Sequence, residues 1–175
     1  MASWTDPILD EMAQHRVRFE SLCRSLTSEE LATQVPDAPW TVHGYVAHLC
    51  TIDSLLNRFF GPVVGMTDMP APEVPPPAPF DIDEWNEAIV ARRPATSIDD
   101  LFAEAAASRA NYERILRVIP EPAADMMVPF GGDRKKINLP AITVRLQDLL
   151  SAIALHDPSH SHDIIRALPH REPEV

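Results

Sequence analysis

Prolines decide where this chain can be regular. Five glycines accompany eighteen prolines, and the prolines gather between segments instead of scattering through them. A proline lacks an amide donor and crowds the preceding turn, so long helices form where it is scarce. Scarce glycine, in turn, leaves little material for the tight turns of a β architecture. Helices joined by stiff connections are therefore the expected construction.

The proline-poor stretches carry apolar residues at helical threes and fours. Thr5 or Asp6 can cap a first helix over 6–26 with Pro7 in its first turn, where Ile8, Met12, Phe19, Leu22, Cys23 and Leu26 make the stripe. Ser28 has Leu31 three residues on, which is no capping box, and SEELATQV reads as one or two turns into the loop PDAPW. Thr41 caps a second helix to about Phe60, with Val42, Tyr45, Val46, Leu49, Ile52, Leu56 and Phe59 in a broad apolar arc. His48 sits at the edge of that arc, whereas His43 falls about 140° round from it.

Residues 61–79 are crowded with proline and lack helical period, which predicts an ordered strap across the bundle. FDIDEWNEAIVARR then opens with acids and ends in Arg92 and Arg93 before Pro94, and Ser97 starts SIDDLFAEAAASRANYERILRVI. Together they predict a bent third helical unit. Residues 120–141, with the basic triplet Arg134, Lys135 and Lys136, read as loop, and a last helix is expected unbroken from Ile142 to about Leu168.

Within that last helix stands LHDPSHSHDII, residues 155–165. A register of about 100° per residue from Ile142 puts Leu146, Leu149, Ile153, His156, His160 and Ile164 on one stripe, and turns His162 to solvent with Pro158. Imidazoles four apart on an inward face stack one turn apart and can reach one metal ion. The same spacing also serves a partly buried pair satisfied by hydrogen bonds or water.

With 26 acidic against 15 basic residues and a formal charge of -11, the chain is a poor partner for nucleic acid or an anionic bilayer. No apolar run approaches the roughly 18 residues of a membrane span. The start MASWTDPILDEM lacks a signal peptide's basic end and apolar run, and Cys23 and Cys50 lie in helical patterns. A soluble protein of the reducing cytoplasm is expected, its 175 residues forming one domain. Glycine-rich phosphate loops, dinucleotide fingerprints and GxSxG are absent from the sequence. Asp53, one turn beyond His48, can orient that histidine or a bound water, though solvent exposure or capping is the commoner use. Trp40 and Trp85 suit core packing or a cavity wall, Cys50 inert core, and Arg134, Lys135 and Lys136 a solvated loop or an anion contact.

PWTVHGYVAHL, FDIDEWNEAIVARR and HDPSH, in this order, resemble motifs of the DinB-like superfamily of small helical metalloenzymes. Its branches include YfiT-like, mycothiol-dependent maleylpyruvate isomerase N-terminal and ClbS/DfsB-like proteins, and the resemblance covers about residues 8–168. It implies an all-α fold, a four-helix bundle of DinB-like topology with its long proline-rich connection between helices 2 and 3. The family's up-and-down bundle is a mirror variant that lets helices 2 and 4 face each other across the site. The three metal ligands it implies are His48, His156 and His160, with zinc first and nickel second by donor type. One departure is Pro158, which removes the amide that would bond to the Ala154 carbonyl, at about 3 kcal/mol in a regular helix interior. Either the helix kinks on its solvent side, or Asp157 caps a fresh helix, displacing His156 and bringing in His162 or Asp163.

The resemblance implies a metal-dependent transferase or isomerase that uses a low-molecular-weight thiol, mycothiol or bacillithiol in type, on an electrophilic small-molecule substrate. A ClbS/DfsB-like protective protein that binds or hydrolyses a reactive small molecule is the alternative, and a bundle that has lost catalysis is a third. Family members are commonly homodimers.

Overall fold

Most helix starts lie where the sequence offers a cap. The computed structural model describes residues 3–66, 75, 81–130 and 142–171. Helix α1 spans Asp6–Arg24 with Thr5 at its N-cap and proline in its first turn. The Thr5 hydroxyl leaves its own helix uncapped and donates instead to the Leu116 carbonyl at 3.0 Å, tying the start of α1 to a neighbour. The single turn α2, Ser28–Leu31, is closed by a capping box one residue before the position considered above. Its Thr27 hydroxyl accepts the Glu30 amide at 3.2 Å while the Glu30 carboxylate accepts the Thr27 amide at 2.7 Å.

Helix α3 is Val42–Phe60, and the Thr41 hydroxyl accepts the Gly44 amide at 3.3 Å, as its N-cap role predicts. Helix α4 is Ile82–Ala91 behind Asp81, which accepts the Glu84 amide at 2.9 Å, and α5 is Ile98–Val118 behind Ser97, which accepts the Asp100 amide at 3.1 Å. The expected third unit is thus two helices, with Pro94 in the joint.

The last unit departs most from expectation. Ile142–Arg145 is a strand, β2, paired antiparallel with β1 (Met127–Phe130) in a register of Met127 with Arg145 and Phe130 with Ile142. Glu121–Asp125 forms a 3-10 turn ahead of β1, so the described part of that stretch, residues 120–130, is more than loop. The run Ile142, Thr143, Val144 is β-branched throughout, which favours an extended backbone wherever a partner strand is at hand. Helix α6 therefore starts at Leu146 and ends at Ala154, and α7 resumes as His156–Ala167. Most of the proline strap and the triplet Arg134, Lys135 and Lys136 lie outside the described residues; within 61–66, Pro62–Val64 makes a 3-10 turn.

Helix α3 packs on α5, α5 on α1, α1 on α6 and α7, and α7 back on α3, closing an all-α four-helix ring on which α4 sits against α3. Phe19, Val46, Leu49, Leu101, Phe102 and Ile164 fill one end of the interior, and Phe19 meets Phe102 edge to face at 5.7 Å. Met12, Leu56, Tyr112, Leu116, Leu146 and Leu150 fill the other. Each such side chain contributes about 1.5–3 kcal/mol by leaving water. Among the described residues no helix is long and apolar enough to cross a membrane.

Candidate metal centre

His48 lies mid-way along α3, 4% exposed, on a helix whose apolar arc is buried on nearly every turn. Trp40 covers it from the preceding loop with ring centroids 5.1 Å apart. That close cover requires Gly44: a Cβ there would stand 2.7 Å from the Trp40 Cβ, so any larger residue would push the indole away.

His156 opens α7 and His160 follows one turn later. Their rings lie 4.7 Å apart, and those of His48 lie 5.2 Å from His156 and 5.4 Å from His160. One donor nitrogen from each of the three falls within 4.8 Å of the others. The three inward-facing histidines expected from the helical register and from the resemblance are thus brought together. His162 is exposed, as expected, and His43 turns away to the Thr96 carbonyl, which its Nε2 meets at 2.8 Å.

Pro158 does not undo this arrangement, because the helix breaks three residues ahead of it. The chain leaves α6 at Leu155 and restarts at His156, so Pro158 falls in the first turn of α7, where its missing amide has no intrahelical duty. The interruption expected at Pro158 falls at Leu155 instead and leaves both histidines facing His48, and Asp157 does not cap a new helix at the expense of His156. The Ala154 carbonyl, which an amide at 158 would have served, accepts a hydrogen bond from His15 Nδ1 of α1 at 2.9 Å.

Asp157 turns the other way, inward, and is 4% exposed. Its carboxylate pairs with the Arg16 guanidinium: Nη2 donates to Oδ1 at 3.2 Å, and Nε stands 3.0 Å from Oδ2. Arg109 of α5 stands 3.7 Å from the same Oδ2 and donates from Nε to Asp53 Oδ2 at 2.6 Å. Two guanidiniums and two carboxylates therefore alternate through the bundle, each charge offset by a neighbour, which is the condition for burying them at all. Burial pushes the Asp53 carboxyl above its ordinary range, and the Arg109 and Arg16 guanidiniums oppose that shift. Asp53, 1% exposed, is thus neither solvent-facing nor a cap, and its salt bridge is to Arg109.

His160 Nδ1 meets Asp163 Oδ2 at 3.1 Å, which fixes the ring and, with the proton on Nδ1, leaves the Nε2 lone pair for a ligand role. The ring of Tyr45 packs 5.0 Å from that of His160, and burial, then the Asp163 charge, raises the pKa of its phenol. Trp85 is core: fully buried, it packs with Leu55 and Ile89. Cys50 is inert core, its thiol pushed up to about 12 chiefly by burial.

Sequence reasoning had overlooked His15, Arg16 and Arg109, and had weighed Asp157 only as a helix cap. A signal existed for the two arginines: each fills a gap in a buried stripe, Arg16 between Met12 and Phe19, and Arg109 between Ala105 and Tyr112. A long cation on an inward helical face calls for a buried anion.

Fold and histidine cluster together define a DinB-like helical bundle. Over residues 12–151 the chain matches the family model described as mycothiol maleylpyruvate isomerase N-terminal domain, and it belongs to that family. Among curated proteins none matches the chain. His156 and His160 lie beyond the matched residues, so their place beside His48 rests on the geometry of this chain. The donor set fits a divalent first-row ion, since three imidazoles leave further positions open as in catalytic zinc sites.

Proposed function

We propose that His48, His156 and His160 hold one zinc or nickel ion, and that the chain is a transferase or isomerase. It uses a low-molecular-weight thiol of the mycothiol or bacillithiol type on an electrophilic small molecule. The observation that carries this reading is the convergence of three imidazole nitrogens within 4.8 Å. When bound, such an ion supplies Lewis acidity that lowers the pKa of a thiol or water.

The chain's own residues support the rest. The Cys50 thiol is held protonated by burial, and burial raises Cys23 further still, so neither is a ready nucleophile. The reacting sulfur is then supplied from outside, which agrees with the thiol in the family's description. Asp163 orients His160, while Trp40 covers His48 and Tyr45 packs beside His160, keeping water from that side of the site.

Metal analysis of protein purified without a histidine tag tests the reading. About one ion per chain is expected. His156→Ala and His160→Ala should each weaken binding by more than the roughly 10–100-fold typical of outer-sphere partners. Loss of a chlorinated aromatic electrophile should require added thiol. Substoichiometric metal in the unmutated protein would sink the proposal, and thiol-independent loss would favour the ClbS/DfsB-like protective role.

A further inference from the structure

The sequence pair His15 and Arg16 grips α7 on both sides of its start. His15 Nδ1 donates to the carbonyl of Ala154, the last residue of α6, at 2.9 Å. Arg16 takes the carboxylate of Asp157, the second residue of α7, at 3.0 and 3.2 Å. Between those anchors lie only Leu155, which is half exposed, and His156.

Helix α1 contributes none of the clustered histidines, and neither α6 nor α7 has a side-chain cap at its N-terminus. A helix break without a cap is a soft joint: a small change at Leu155 would swing His156 and His160 together relative to His48. Fixing the carbonyl before the break and the carboxylate after it removes that freedom. The two contacts come from adjacent residues of one helical turn, so they hold the joint against a common rigid body.

We infer that His15 and Arg16 form a clamp that positions His156 and His160 against His48, with His15 a positioning residue for the metal centre. The inference rests on the proposed reading of the three histidines as metal ligands. His15 is the informative member, because it is half-buried and touches no ligand, whereas removing Arg16 would strand a buried carboxylate.

His15→Ala removes the donor, and His15→Asn places a side-chain amide where Nδ1 stands. Zinc and nickel are titrated separately into metal-free protein of each form, and thermal unfolding and amide exchange of residues 155–160 are followed without metal. His15→Ala should bind either ion about tenfold more weakly, exchange faster at the start of α7 and melt within a few degrees of the unmutated protein; His15→Asn should restore all three.

Unchanged affinity in His15→Ala, or no recovery in His15→Asn, overturns the clamp. Should the unmutated protein take up neither ion, the metal reading fails by itself. The clamp is then judged on amide exchange alone: faster exchange in His15→Ala upholds a clamp on the joint, and unchanged exchange ends it.

Discussion

The histidines of the candidate site reach it on two unlike supports. Helix α3, which carries His48, is one unbroken run of 19 residues, 14 of them buried, so its position follows from apolar packing along its length. Helix α7, which carries His156 and His160, has 12 residues of which three are buried, and one of those is Asp157. Packing is dense but undirected, and a helix held by it tolerates the loss of one contact without shifting. Ion pairs and hydrogen bonds are few and directional, so a helix held by them answers to single residues. The site joins a rigid wall to an adjustable one.

The largest effect expected from this contrast is at Asp157. Asp157→Ala leaves the buried Arg16 guanidinium without its anion, while Arg109 keeps Asp53, and should cost about 3–5 kcal/mol in chemical denaturation. It should also weaken metal binding in the protein that remains folded. Leu55→Ala on α3 removes a fully packed side chain from the cluster with Trp85 and Ile89, at about 2–4 kcal/mol. It should leave metal affinity per folded molecule unchanged. If Leu55→Ala disturbed affinity as much as Asp157→Ala, the division between a packed and a pinned support would fail.

The packed support was legible in the sequence, and the pinned one was only half so. Thr41 and Ser97 declare their helices locally, and the apolar arc of α3 places His48 inward, because cap and period are both read from a few neighbouring residues. His156 and His160 share a face because they are four apart, and a break before the first of them leaves that spacing intact. The break had a local signal in Pro158, which denies the Ala154 carbonyl an amide, but not its position at Leu155, an ordinary helix former, nor the contacts from His15 and Arg16, some 140 positions away in sequence, that flank it. Likewise β2 depends on β1, a strand partner that local periodicity does not name. Thr27 was legible and passed over, since Thr27 with Glu30 has the capping-box spacing that Ser28 with Leu31 lacks.

The smallest effect concerns the far end of α7, where the same polar fixing recurs. Glu30 of α2 receives Arg171 through Nε at 2.5 Å and Nη2 at 2.7 Å, and His170 Nε2 at 2.8 Å, which holds the chain after α7 against the turn between α1 and α2. Arg171, then the Thr27 amide, holds the Glu30 carboxyl well below its ordinary range, with His170 adding to them against the opposing effect of burial. Because the folded value is the lower one, the stabilisation is present in full above the unfolded value of about 4.3 and drains away as pH falls toward the folded value. Glu30→Gln should therefore melt below the unmutated protein at pH 7, and the gap between the two should close progressively below about pH 4. Melting curves from pH 7 to pH 3 measure it. The absence of any gap from pH 7 to pH 3 would mean that Glu30 acts through its cap on α2, which glutamine can replace in kind, and that the end of α7 is held by the burial of Ile164 and Leu168 rather than by charge.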